Sequence, residues 1–516
     1  MKSINKFLKV SMVATAMFTA TSCQDLLDDP NENKTFAEET DYTDVSKMTL
    51  PLLGVYGQLQ DYPWHDFPVI SVRGDDVNTG GKGDQQDLAE ADLYNYNPDF
   101  WMFNAVWNSM YKDIFYMHSA MEQLQLFKER GPNPALADQY IAEIKTMRAF
   151  HLFQLSRVWG DVFIITTSDN GDLQEADAKV STKDEVMQHI SDQMDEAIPL
   201  LPNLRPNERT DIKGGVTRYT ALAIKALAKL ELKDYQGVAD ATSAIISSGK
   251  FQLEQDFYQL FKIPGKLNNE NLFELQYSNF GDLPAGDKIF TYEFFGPQNW
   301  GPKVKNAGSG WGFWEPSLKY IKFMLDRNET ERLQTSVLFT NRGIEEIKKD
   351  PKYTAATLPV FVKNVTAEGD TIKNFDREMF VSGKHYLPST QLPAGRTTYG
   401  TSKNVIVIRY AEILLMHAEA LVHGATSSAM TATDAVNLVR GRVGLTNLSS
   451  VTLQQVMDEK YAELGMEWGS RYYDMVRLGE YDELSYEGRT FTEDKIFLPY
   501  PQAQVDLLPA LRKNPN

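Results

Sequence analysis

Apolar residues recur at helical spacing most clearly between Asn404 and Gly444. Ile408, Ala411, Leu415, Ala418 and Val422 stand three or four apart and form one stripe, which Leu414 and Leu421 widen. Small residues at Ala411, Ala418 and Ala420 let a partner helix come close. His423-Gly424-Ala425-Thr426-Ser427-Ser428 breaks the pattern with turn-forming residues. A second stripe follows in Ala432, Ala435, Val436, Val439 and Val443, and Gly444 ends it. The spacing predicts two packed helices, 404–422 and 430–442. Thr217 to Gly249 has the same layout, with Arg218-Tyr219 matching Arg409-Tyr410 at an offset that drifts by one residue. Helix pairs of about 34 residues are the tetratricopeptide unit, and such units bury their apolar faces only by stacking.

The same periodicity predicts helices over 45–60, 101–128, 136–158, 182–200, 216–232, 235–248 and 452–478. Two long stretches, 61–100 and 250–400, do not read as helix. The first is punctuated by Pro63, Pro68, Gly74, Gly80, Gly81, Gly83 and Pro98. The second mixes Gly and Pro turns with strand-like runs at Leu272 to Tyr277 and Leu358 to Val362. Long loops in a compact protein usually carry function, so ligand contacts are expected there. The Pro-rich tail 496–516 is expected to lie along the body.

The amino terminus changes the picture. Lys2, Lys6 and Lys9 precede the apolar run Val10 to Ala20, which is too short to span a bilayer and suits a signal peptide over 1–22. Cys23, the only cysteine, follows at once and has no second cysteine for an internal disulfide. It reads as the lipidated first residue of a mature lipoprotein, although Ala20 stands where a lipobox usually carries Leu. The bland alternative is an ordinary signal peptide with a chance cysteine. Residues 23–44 read as the anchor residue and an acidic tether. The formal net charge of -18 argues against nucleic acid and anionic membrane surfaces as partners. Membrane contact is expected through the lipid anchor only.

Enzyme signatures are missing: there is no His-Glu-x-x-His, no Gly-x-Ser-x-Gly and no Walker loop. No catalytic residue, metal site or cofactor is therefore assigned. Glu463, Glu467, Arg471, Asp474 and Arg477 sit at helical spacings that read as a structural ion-pair network, with Glu467 and Arg471 in the favourable i,i+4 order. Sugars offer C–H faces to aromatic rings and hydroxyls to polar groups, so a glycan site combines both on exposed loops. Trp64 and Asp76 in the first long loop, and Trp300 and Trp311 in the second, are the candidate glycan contacts; core packing is the alternative for the three tryptophans. Trp107, Trp159, Trp314 and Trp468 read as core.

Several runs together resemble the SusD/RagB family of outer-membrane nutrient-binding lipoproteins. They are Met147-Arg148-Ala149-Phe150 with Val158-Trp159-Gly160-Asp161-Val162, Arg409-Tyr410-Ala411-Glu412 with Ala418-Glu419-Ala420, Asn437-Leu438-Val439-Arg440, and Leu498-Pro499-Tyr500-Pro501. Phe163 stands where that family commonly has proline, and Lys460 where it commonly has arginine. The resemblance implies a mostly α fold, a tetratricopeptide-like scaffold of helix pairs with long loop and short-strand insertions. On that reading residues 45–516 are one SusD-like domain, with scaffold at 45–60, 101–249 and 404–478 and ligand loops at 61–100 and 250–400. It also implies capture of an oligosaccharide for a SusC-like TonB-dependent transporter at the cell surface. Gly310-Trp311-Gly312 resembles the position where family members place a stacking tryptophan. The alternatives are a surface glycoside hydrolase and a lipoprotein of the same fold that binds a non-carbohydrate nutrient. An intracellular tetratricopeptide adaptor is opposed by the leader and Cys23.

Overall fold

Local signals start most of the helices. Asn133 accepts from Leu136 N ahead of Pro134 in the first turn, and Thr182 with Glu185, and Thr452 with Gln455, close reciprocal caps. Each such cap satisfies N–H groups that a helix start leaves open and contributes about 1 kcal/mol. The computed structural model describes residues 40–61, 66–79, 85–169, 178–277, 294–392 and 401–513. Cys23, the leader and Trp64 lie outside the described residues.

The scaffold helices are Val45–Gln58, Trp101–Arg130, Pro134–Trp159, Lys183–Ala197, Arg218–Glu231 and Tyr235–Ser247, then Tyr410–Val422, Ala432–Arg442 and Leu453–Leu464. Each of the first six packs on a neighbour in sequence, and Tyr235–Ser247 packs on Tyr410–Val422, so one stack continues across the long insertion. Ala411, Leu414, Leu415 and Ala418 are fully buried at that junction. Trp107, Trp159, Trp314 and Trp468 are core residues. The architecture is mostly α, with five separate two-stranded antiparallel sheets among the described residues.

Four expectations need correction. The helix predicted from 404 begins only at Tyr410, because Val405–Arg409 is a strand antiparallel to Asn271–Leu275, with Val405 opposite Leu275. Its four consecutive β-branched residues favour a pleated strand, where their branched carbons are least crowded. The helix predicted over 452–478 is two, Leu453–Leu464 and Ser470–Leu478. Between them Met466, Trp468 and Gly469 all have positive φ. Trp468 is held there by its Nε1–H, which donates to Ile406 O at 2.7 Å, and by edge contacts with Phe67 and Phe150. The insertion 250–400 also holds helices, Leu318–Asp326, Glu331–Ser336 and Asn341–Ile347, each with its own cap or tertiary contact, while Leu358 to Val362 forms turns and no strand.

The break at 465–469 redirects the ion pairs read from spacing. Glu467 meets Arg409 at 2.8 Å and Lys384 at 2.6 Å, and not Arg471. Glu463 faces Arg332, Arg409 and Arg442, and Glu270 joins Arg409 and Arg442 at 3.0 and 2.9 Å. Burial opposes ionisation of Glu463, but Arg442, Arg409 and Arg332 outweigh it and hold its carboxyl far below the usual range. The network therefore ties the insertion to the scaffold by charge.

The tail lies on the first long helices. Leu498 N donates to Val158 O at 2.9 Å, Gln502 N to Pro98 O at 3.0 Å, and Tyr500 Oη to Asp161 O at 2.7 Å. Gln504 reaches Asn104 and Asn108. Among the described residues no helix is long and apolar enough to cross a membrane.

Candidate functional site

Trp311 sits in a loop whose backbone only glycine can form. Residues 310–313 run beside 294–297: Gly310 N donates to Pro297 O at 2.9 Å, Gly312 N to Gly296 O at 3.1 Å, and Phe313 N to Phe294 O at 3.0 Å. A Cβ on Gly310 would lie 2.3 Å from Gly296 O, and one on Gly312 would lie 2.3 Å from the Phe375 ring. Gly312 also has φ of +67°, a region that side chains disfavour. The two glycines thus bring Trp311 between two close-packed segments.

The Trp311 ring is half-buried. It makes edge contacts with Phe294 and Phe313, both with centroids 6.4 Å away. Arg377 fixes the loop from the other side: its guanidinium lies 4.0 Å from the Phe313 centroid, and Nη1 donates to Trp311 O at 3.1 Å. Arg377, Phe294 and Phe313 were not legible as site residues. They carry no periodic spacing, and the pairing of 294–297 with 310–313 is tertiary.

Behind the loop lie two buried carboxyls. Glu315 Oε2 accepts from Met379 N at 2.7 Å and Phe380 N at 3.0 Å, and Glu378 Oε1 accepts from Trp314 N at 3.3 Å. Burial pushes Glu315 up to about 7 against the pull of those two N–H groups. Burial first, and Glu315 second, push Glu378 well above the carboxylate range. Both groups are enclosed and bonded to backbone, so they brace the loop.

The other candidates do not join Trp311. Trp300 pairs as strand Trp300–Gly301 with Thr371–Ile372 and is buried in a separate small core with Leu338, Val381 and Tyr386. Asp76 is 1 % exposed, and its carboxylate accepts from Met466 N, tying the 74–78 loop to the 465–469 break. Burial pushes it up to about 6. The expectation that Asp76 meets a sugar hydroxyl gives way to this strut, because a carboxylate flanked by Gly74 and the backbone of Met466 has no open face. Among the described residues no cluster of three or more His, Cys, Asp or Glu side chains is placed to hold a metal.

A sequence model described as the SusD family matches residues 247–516, more than half of the chain. This chain belongs to the SusD family. A second model, described as starch-binding associating with outer membrane, matches residues 25–231. A SusD-like protein of Bacteroides ovatus is 22 % identical, with 98 % of this SusD-family chain and 97 % of the relative covered. Another from Formosa agariphila is 24 % identical over 90 % of this chain and 89 % of the relative. Among solved structures, a laminarin binding SusD-like protein superposes with a TM-score of 0.74 at 20 % identity, covering 90 % of this chain and 98 % of the other. Surface glycan-binding protein A from Bacteroides thetaiotaomicron, in complex with laminarihexaose, gives 0.73 at 20 % identity and the same coverage. The helical stack of the SusD-family fold is shared with both.

Proposed function

We propose that this protein is a cell-surface lipoprotein, anchored through Cys23, that binds an oligosaccharide on the loops around Trp311 and passes it to a SusC-like TonB-dependent transporter without catalysis. The observation that carries the reading is the Gly310-Trp311-Gly312 loop, where two positions that exclude any side chain flank a tryptophan whose main-chain carbonyl Arg377 fixes. An aromatic face held by a rigid backbone loses little entropy when a pyranose ring stacks on it. Structural neighbours whose descriptions name laminarin and laminarihexaose support the glycan class, and the model described as associating with the outer membrane supports the location. The buried, backbone-bonded state of Glu315 and Glu378 makes them a poor acid–base pair for a hydrolase, which must reach a substrate oxygen.

Calorimetry of the purified protein against a panel of oligosaccharides, beginning with laminarihexaose, tests the proposal, with the same mixtures assayed for new reducing ends. Saturable binding without product release is the expected result. Product release would make the protein a hydrolase, and no binding across the panel would remove the glycan assignment.

A further inference from the structure

The segment that leads to Arg377 carries a basic face on an otherwise acidic protein. Thr371–Ile372 is flanked on both sides: Gly301 pairs opposite Thr371 on one, and Val365 bridges to Thr371 on the other. Lys373 N extends the first pairing by donating to Asn299 O at 3.0 Å, and Ile372 N extends the second by donating to Asn364 O at 2.8 Å. Ile372 joins Trp300 in the small core below. Side chains alternate along an extended strand, so Thr371 and Lys373 face the other way.

That face gathers three lysines. Val365 faces Thr371, so two residues along the same antiparallel register Lys363 comes opposite Lys373. Lys303 lies two residues past Gly301 on the other edge, with Cδ 3.4 Å from the point where a Cβ on Gly369 would stand. Gly301 leaves room for the stem of Lys373, whose Cε is 3.3 Å from the place of a Cβ there. All three lysines are exposed and, among the described residues, none is in an ion pair.

The acids of these segments do not neutralise them. Asp370 is fully buried and accepts from Tyr386 and Ser389. Glu368 lies within electrostatic reach of Tyr258 and Lys262, and exposed Asp376 stands next to Arg377. Like charges set opposite each other on paired strands destabilise the pairing. A chain of net charge -18 repels anions over most of its surface, so this face is where one can approach.

The face adjoins the Trp311 loop. Two residues past Lys373, about 7 Å along an extended chain, the Phe375 ring meets Gly312, where a Cβ would lie 2.3 Å from it. Arg377 follows and donates to Trp311 O. Beyond Lys363 opens a cavity of about 490 Å³, and Asp256 and Glu331 on its wall end the basic face.

We propose that the oligosaccharide bound at Trp311 is anionic, and that Lys373, Lys363 and Lys303 receive its uronate carboxylates or sulfate esters. The inference rests on the glycan reading above and narrows its substrate class. An ammonium group is a compact point charge with rotatable donors, so the face accepts either kind of anion. A sugar chain running from Trp311 along Phe375 towards Thr371 passes over it.

Calorimetry tests this once oligouronates and sulfated galactan oligosaccharides of similar length join laminarihexaose in the panel. An anionic member should bind at least about tenfold more tightly than laminarihexaose, and which one it is separates carboxylate from sulfate recognition. Raising salt from about 50 to about 300 mM should weaken that binding several-fold. Lys363→Met combined with Lys373→Met should weaken it about tenfold. The melting temperature of the double variant should hold or rise, because the like-charge pair is gone. Laminarihexaose binding at least as tight as that of every anionic member overturns the inference and leaves the glycan reading standing. So does anionic binding that the double variant leaves unchanged. No binding by any member, neutral or anionic, removes both.

Discussion

Asp75 and Arg471, nearly 400 positions apart, form a two-point ion pair, with Nε 2.8 Å from Oδ1 and Nη2 3.1 Å from Oδ2. Asp75 is fully buried and Lys319 also reaches it at 2.7 Å. Removing one partner of such a pair leaves the other charge buried. Asp75→Asn should therefore lower the unfolding free energy by about 3 kcal/mol. Chemical denaturation measures this, and a loss near zero would mean Glu483 alone satisfies Arg471.

The Trp311 ring is the expected stacking surface. Trp311→Ala should cost about 2 kcal/mol of binding or more, roughly thirtyfold in dissociation constant. The measurement is calorimetry with the glycan found in the screen, beside a thermal melt. Binding should weaken at least about tenfold with the melting temperature nearly unchanged. Binding within about twofold of wild type would remove Trp311 from the site.

Glu315 predicts a pH dependence with a defined sign. Its folded value is about 7 and its ordinary value 4.5, so the folded state holds the proton over a range where the unfolded chain has released it. Stability from this group is thus full below pH 4.5 and falls as pH rises towards 7, by on the order of 3 kcal/mol. Glu378 acts in the same direction. Glu315→Gln should flatten the slope, measured by denaturation at about pH 5 and about pH 7.5. An unchanged slope would assign the dependence to other groups.

Leu415 is fully buried where the two halves of the scaffold meet. Leu415→Ala should destabilise by about 2–5 kcal/mol through lost burial and a cavity. Unfolding free energies check it, and a change under about 0.5 kcal/mol would contradict the packing.

Cys23 is expected to carry the anchor. Cys23→Ala should move the protein from the membrane fraction to the soluble one, since stable attachment needs more than one acyl chain. Unchanged fractionation would end the lipoprotein reading.

What was legible in the chain was what short-range patterning controls. The stripe through Ala411, Leu415 and Ala418 marked a buried helix because period and burial coincide over three turns. Val405 to Ile408 misled, since their apolar character fits a helix stripe, and only the partner strand at Asn271–Leu275 decides for a strand. Arg471 misled similarly: i,i+4 spacing means nothing once positive φ at Met466 and Trp468 breaks the helix. Of the described loop candidates, Asp76 and Trp300 are buried, because a polar, Gly-rich sequence context does not show which loop residues a second loop will cover. Trp311 stood out through its two glycines, a signal that is local.

The tail has a consequence for how the molecule assembles. Val158, Pro98 and Asp161 offer carbonyls that Leu498, Gln502 and Tyr500 fill, and the Trp107–Trp159 ring pair meets Tyr500 with centroids 5.7 Å apart at Trp107. Early helices are therefore sealed by residues far along the chain. Contacts of such long sequence separation form slowly, because closing a long loop precedes any gain from it. Until residues 498–504 are in place, Trp101–Arg130 and Pro134–Trp159 keep an unsealed edge, so the packing of this first helix pair waits on a segment far along the chain.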